Sequence, residues 1–337
     1  MPIGESNRFH RPEGSGAKNQ QEKICLIVNP RAGAGRAGSQ IDTLKRLLDR
    51  SFEQWDVQLT QAPRHATHLA REAAEKGFDI VAAVGGDGTC HEVVNGLMKN
   101  GRAVRKKTAF TVIPFGTGSD LVRSLDIPSR TGEALWIAAT GISLPSDVGT
   151  ATFTTDKGVE EEVFINVAGF GANGDVVRRA NSSSKRFGGA ATFIGATLRT
   201  LVRYEPGEVR VTIEGSDSIS HWENKLLSSF IANGHYCGSG MFVGNGGSMQ
   251  DGKLDLSLLK PTPLLRQALD FRHLYDGKLG ESTGVTQTSC TKIQAECTTG
   301  APVPVELDGE SRGFLPASFA IHPGALTIRG GWLRKPE

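Results

Sequence analysis

Two unbroken apolar runs, ICLIV at residues 24–28 and IVAAV at 80–84, mark strands buried on both faces, as in a parallel sheet covered by helices. Between them, Ile41, Leu44, Leu47 and Leu48 recur at helical spacing. A short strand at residues 57–59 and a helix over 64–76 follow. Another helix is predicted from Glu92 to Met98, and a further strand from Phe110 to Ile113, stopped at Pro114. Strands alternating with helices predict an α/β domain built on a parallel sheet. After about residue 141 the texture changes. VFINVAGF (163–170), EVRVTIEG (208–215), KLLSSFIANG (225–234) and KLDLSLLK (253–260) are strand-like, with turn signals between them. One long helix is expected there, at 188–203, so the second half reads as a β-rich domain of sandwich type. FAIHPGALTIRG (319–330) adds two short strands.

Composition narrows this picture only slightly. A chain of 337 residues accommodates two domains. A net charge of +2 gives no reason to expect nucleic acid as a partner. The five cysteines are odd in number and include no C-x-x-C, which argues against a disulfide framework or a zinc knuckle and suits a reducing cytoplasm. Most of them are expected in the core. No apolar run approaches the ~20 residues that span a bilayer. Residues 1–22 are polar, without the apolar middle of a signal peptide, and read as a disordered lead-in.

Three glycine loops follow three predicted strands, at the sheet edge where helix N-termini offer free N–H groups to phosphate. The first, NPRAGAGRAG, contains G-x-G-x-x-G at 33–38. A dinucleotide-binding dehydrogenase would also need an acid at the end of the second strand, where Leu59-Thr60-Gln61 has none. The P-loop pattern is absent. The second loop, Gly85-Gly86-Asp87-Gly88-Thr89, wedges a carboxylate between glycines, suited to a nucleotide hydroxyl or a phosphate-bound cation. Its local alternative is a plain helix cap. The third, PFGTGSD (114–120), repeats the chemistry with backbone N–H groups, a hydroxyl and a carboxylate.

NPRAG (29–33), GGDGT (85–89) and PFGTGSD (114–120), in this order, resemble the diacylglycerol kinase catalytic domain, shared by bacterial lipid kinases, sphingosine kinases and ceramide kinases. The likeness continues through INVAGFGANGDVV (165–177), IANGHYCGSG (231–240), QDGKLDLSLL (250–259), VELDGE (305–310) and HPGAL (322–326). It implies an α/β ATP-binding domain over residues 23–141, a β-sandwich lipid-substrate domain over 142–317, and a return of about 318–332 to the first. The active site would lie in the cleft between them.

By that resemblance Asn29, Pro30, Arg31, Ala32 and Gly33, with Gly85, Gly86, Asp87, Gly88, Thr89, Cys90 and His91, should contact ATP, and Thr60 and Thr117 should complete its pocket. Arg36 is a candidate phosphate partner or a solvated helix-start arginine. Phosphoryl transfer calls for a base near the acceptor hydroxyl. The resemblance puts Glu310 first in that role, with Asp308 and Asp87 supporting it or holding Mg²⁺. Locally, Asp308-Gly309 also reads as a hairpin turn. Asp251, with the carbonyls of Ser248 and Lys253, matches a structural Mg²⁺ site, although GNGGSMQDG departs from the family's usual loop. Asp175 falls near a lipid head-group position, and Phe193, Ile194, Leu198 and Leu201 would line an acyl cleft or pack as ordinary core. Ser119 replaces the family's asparagine and loses the amide's reach.

The leading expectation is an Mg²⁺- and ATP-dependent kinase of a lipid hydroxyl, cytoplasmic and touching membranes peripherally. A homodimer is the default oligomer for such an enzyme. An NAD kinase and a catalytically silent binder of the same fold remain as alternatives.

Overall fold

The computed structural model describes residues 19–116, 120–182, 203–299 and 301–331. The strands Phe52–Leu59, Asn19–Val28, Ile80–Gly85 and Ala109–Pro114 lie side by side in that order, all parallel. Residues 24–28 and 80–84 are fully buried, as a two-faced sheet requires. Helices Ile41–Ser51, His65–Glu75, Asp87–Leu97 and Thr131–Thr140 supply the covering apolar side chains, among them Leu44, Leu48, Val93, Val94 and Leu135. The first strand starts at Asn19, inside the expected lead-in, because Asn19 pairs with Phe52 and Glu22 meets Arg329. Residues 1–18 lie outside the described residues, as does the stretch expected to be a long helix, apart from Arg203.

The second half is antiparallel. Glu208–Glu214 lies between Ile219–Lys225 and Lys292–Thr299. Ser228–Ala232 pairs with Leu254–Leu259, which pairs in turn with Val285–Cys290. The apolar side chains of these two groups, including Val209, Val211 and Ile213 from one and Ile231, Leu254, Leu256 and Leu258 from the other, share one core. This is a sandwich in the expected sense. Cys25, Cys90 and Cys290 are buried. In the same core Phe319 stacks on Phe170 at 6.0 Å and meets Phe164 edge-on at 6.4 Å. Phe319→Ala is expected to cost ~3–5 kcal/mol, measured as a lower denaturation midpoint with an unchanged denaturant slope.

One element joins the halves. The two short strands expected at 319–330 are part of a single 20-residue strand, Glu310–Arg329. It pairs with Pro304–Leu307, Lys292–Thr299 and Ser143–Thr155, and at Thr327 and Ile328 runs parallel to Ala109–Pro114. Its prolines do not end it, because Pro316 and Pro323 fall where the pairing register shifts, between Phe314 and Ala317 and between His322 and Leu326. Among the described residues no helix is long and apolar enough to cross a membrane.

Candidate active site

The three glycine loops touch. Asn29 follows the strand Asn19–Val28, donates its N–H to Val84 O at 3.0 Å, and directs Nδ2 to Thr89 Oγ1 at 3.4 Å. Thr60 sits beside it, its N–H on Val28 O at 2.9 Å. Gly33 has φ +60°, and a Cβ there would collide with the Phe115 carbonyl. Gly86 and Gly116 face each other across the gap between the second and third loops, and a Cβ on Gly86 would stand 3.2 Å from Gly116 Cα. Only glycine allows backbones this close. Arg31 and Arg36 are exposed beside the first loop; Arg36 Nε donates to Gly33 O at 3.1 Å.

The helix predicted from Glu92 begins earlier, at Asp87, with Gly86 as its N-cap. The loop's acid therefore occupies the first turn, and the helix N-terminus opens toward the glycine edge. Asp87 Oδ1 accepts the Leu121 N–H at 3.3 Å. Burial pushes its carboxyl up, backbone N–H groups pull it partly back, and Asp308 adds to the rise. Asp120, in the third loop's short helix Asp120–Ser124, lies within its electrostatic reach. Burial raises Asp120 to about 6 despite an N–H from Ser239 at 2.8 Å, and the Asp87 charge adds to the rise. Its Oδ1 is buried with no hydrogen-bond donor among the described residues and has Arg123 Nη1 at 3.6 Å. Asp120 is the carboxylate of PFGTGSD, the second acid that the sequence places at this sheet edge.

From the other half comes the hairpin Pro304–Leu307 to Glu310. Leu307 pairs with Glu310 across Asp308 (φ +49°) and Gly309 (φ +80°), a two-residue turn of the primed type. The hairpin-turn reading and the site reading of Asp308-Gly309 therefore both hold locally. The turn brings Glu310 over the second loop, where a Cβ on Gly88 would lie 2.8 Å from Glu310 Oε1. The Glu310 carboxylate accepts no hydrogen bond from any described residue. Asp308 is the opposite: Oδ1 accepts the N–H groups of Asn166 (2.9 Å) and Val167 (3.2 Å), while Oδ2 takes that of Ile165 (3.1 Å) and meets His91 Nδ1 at 2.9 Å. Its lone pairs are spent on the protein, leaving none for a cation. Glu306 accepts the Gly309 N–H at 3.0 Å; burial lifts it to about 8, so it is largely neutral at pH 7 and steadies the turn.

Two residues expected beside ATP point elsewhere. Cys90 is in the core of the first half, because the fourth position of this helix faces the sheet. His91 is 2% exposed and bridges Asp308 Oδ2 and Glu162 Oε2 at 2.9 and 3.1 Å. Burial alone would lower it, but the two carboxylates outweigh burial and raise it to about 9, so it is an imidazolium. Glu162 also meets Arg312 Nε at 2.8 Å and Arg64 Nη2 at 3.1 Å. Nothing in GVEEEVF distinguishes Glu162 from its neighbours, so no sequence signal pointed to this cluster.

The remaining predicted residues are dispersed. Thr117 and Ser119 lie outside the described residues, as do Phe193, Ile194, Leu198 and Leu201. Asp175, in the first turn of Ala172–Ser182, is paired with Arg178 at 2.7 Å and Arg179 at 3.7 Å. Asp251 accepts the N–H groups of Ser248 (3.0 Å) and Lys253 (2.9 Å), and the Ser248 carbonyl is bonded by the Asp251 N–H at 3.2 Å. Each Asp251 oxygen thus accepts one N–H within the loop, and the Ser248 carbonyl expected as a metal ligand is engaged by the Asp251 N–H. Among the described residues no group of three or more Asp, Glu, His or Cys side chains converges as a metal site.

Comparison with known proteins agrees with this layout. Residues 23–151 match the diacylglycerol kinase catalytic domain, and residues 166–330 match the YegS C-terminal NAD kinase beta sandwich-like domain. Residues 23–151 thus belong to the diacylglycerol kinase catalytic-domain family. Relatives of the chain include the diacylglycerol kinase of Bacillus subtilis, 26% identical over 307 residues, covering 88% of this chain and 93% of that protein. Another, from Pseudomonas savastanoi pv. phaseolicola, bears the name "Probable lipid kinase YegS-like" and is 28% identical, covering 91% and 93%. The crystal structure of a Bacillus anthracis diacylglycerol kinase covers 92% of this chain and 97% of its own, with a TM-score of 0.67 at 23% identity, a likeness of fold. Relatives named as lipid kinases along nearly the whole chain support a lipid kinase.

Proposed function

We propose that this protein transfers the γ-phosphoryl group of ATP to a hydroxyl of a membrane lipid such as diacylglycerol or a sphingoid base. The observation that carries this reading is the unbonded Glu310 carboxylate standing over Gly88, at the N-terminus of the helix that begins in GGDGT. The helix N-terminus at Gly86–Gly88 and the close-packed glycines suit phosphate oxygens. Arg31 and Arg36 are placed to meet the outer phosphates.

The pair Asp87 and Asp120, the latter with an orphaned buried oxygen, fits a divalent cation. Mg²⁺ held there would neutralise charge on the transferred phosphate. Glu310 accepts the proton of the acceptor hydroxyl as its oxygen bonds to the γ-phosphorus and the bond to the bridging oxygen of ADP breaks. Asp308 and His91 act as positioning residues: they fix the turn that aims Glu310. The ion pairs of Asp175 with two half-exposed arginines favour an anchoring part for it over head-group contact. Domain limits of 23–141 with 318–332, and 142–317, fit this division of labour.

Incubation with labelled ATP, Mg²⁺ and a total lipid extract should yield one labelled phospholipid. Asp87→Ala should remove Mg-ATP binding or turnover, followed by calorimetry and product assay. A fully active Asp87→Ala protein would refute the reading of the second loop.

A further inference from the structure

Deepening the lipid-kinase reading, on which it rests, we propose that the short helix Leu264–Asp270 and the turn after it dock on the surface of an anionic bilayer. Leu264, Leu265 and Leu269 are 56%, 76% and 57% exposed. Leu265 and Leu269 are one helical turn apart, with Leu264 beside them, so the three form one apolar face. The other exposed large aliphatics among the described residues, Leu59, Ile142, Val159 and Ile219, come each from a different part of the chain.

The segment is well seated underneath. Leu274 and Leu279 pack on a small core of Val167, Phe230, Met241 and Val243. The outward leucines are therefore not the result of a poorly anchored loop; the fold keeps two leucines in and turns three out.

Charge selects the occupant. Residues 260–278 hold Lys260, Arg266, Arg272 and Lys278 against Asp270 and Asp276. Asp270 is already engaged by Arg266 at 3.5 Å and the Thr283 N–H at 3.2 Å, and Asp276 by the Lys278 N–H at 3.3 Å. Lys278 lies 3.8 Å from Glu281 and Arg266 is shared with Asp270, while Arg272 is exposed, so the leucines face outward with a basic excess at their rim, the composition that settles at a lipid headgroup boundary. An acidic protein partner would satisfy the cations but leave three leucines to be matched separately.

Position completes the case. Phe271 meets Tyr275 at 5.8 Å, and a Cβ on Gly277 would lie 3.5 Å from the Phe242 ring. Phe242 contacts Tyr236 and His235, whose N–H donates to Ser124 Oγ at 3.0 Å, in the same short helix as Asp120. The turn after the leucine helix thus reaches, at Gly277, the aromatic group of Phe242, Tyr236 and His235 on the wall of the candidate active site. A bilayer held there would present its hydroxyls to the cleft.

The test uses the full chain with vesicles of phosphatidylcholine alone and of phosphatidylcholine mixed equally with phosphatidylglycerol. Wild-type protein should sediment with the mixed vesicles. The variant Leu264→Ser/Leu265→Ser/Leu269→Ser should bind them at least ~10-fold less while unfolding at the wild-type temperature. Arg272→Ala with Lys278→Ala should weaken binding to mixed vesicles and leave the weak binding to phosphatidylcholine unchanged. Equal binding by wild type and the leucine variant would overturn the proposal. So would a wild type that ignores both vesicles, or a wild-type dimer that the leucine variant splits into monomers. Nucleotide affinity, measured by calorimetry on the same samples, separates the two readings: vesicle binding without nucleotide binding refutes the kinase alone.

Discussion

Glu310→Gln is expected to bind Mg-ATP as the wild type does and to lose at least ~10²-fold in turnover, the usual contribution of a general base. The amide keeps the size and approximate shape of the side chain, and no described residue hydrogen-bonds the carboxylate, so the fold loses nothing. What disappears is the capacity to take a proton beside Gly88. Calorimetry reports the binding and a labelled-lipid assay the turnover. Wild-type turnover would remove Glu310 from the mechanism, and lost nucleotide binding would move it into the phosphate pocket instead.

His91→Leu should destabilise the protein by about 2–3 kcal/mol, because Asp308 and Glu162 lose the cation between them while keeping their backbone N–H and arginine partners. His91→Asn is the milder companion and isolates the electrostatics. The native pKa of about 9 stands above the ordinary 6.5. The stabilisation from this imidazolium is therefore complete below pH 6.5 and fades as pH rises toward 9, in total on the order of 3 kcal/mol. Denaturant titrations should show a shallower slope in His91→Asn than in wild type, most clearly between pH 8 and 9, above the Glu306 value of about 8. Turnover should fall in both variants, since the turn aiming Glu310 loses a tether. An identical pH slope in His91→Asn would show that another group carries it.

Much of this site could be read in the sequence, for physical reasons. ICLIV and IVAAV are apolar on both faces, which few arrangements other than a covered parallel sheet tolerate. Glycine loops at the ends of successive parallel strands fall at one edge by topology alone. Asp308-Gly309 is a strong hairpin signal, and that turn is what brings Glu310 to Gly88. Partners set only by tertiary packing were illegible. His91 follows GGDGT and so seemed a nucleotide contact, yet the fourth and fifth residues of a helix starting at Asp87 turn toward the sheet and the neighbouring strand. Glu162 lies 71 positions from His91 and is one glutamate among three in a row. The helix start was placed late because Asp-Gly-Thr reads as loop, when Gly86 was already the cap. The strand Glu310–Arg329 looked broken because proline and glycine punctuate it, and only the register of its neighbours shows that they sit in bulges.

That strand limits how the enzyme can breathe. Its first residue is the proposed base, and its last, Arg329, is clamped by Glu22 and the Ala138 carbonyl at the opposite end of the nucleotide sheet. A clamshell motion swinging the halves apart would have to tear backbone pairings along it. In the proposed reaction, substrates admitted by local rearrangement of loops around this strand would find Glu310 and the glycine edge at one fixed spacing.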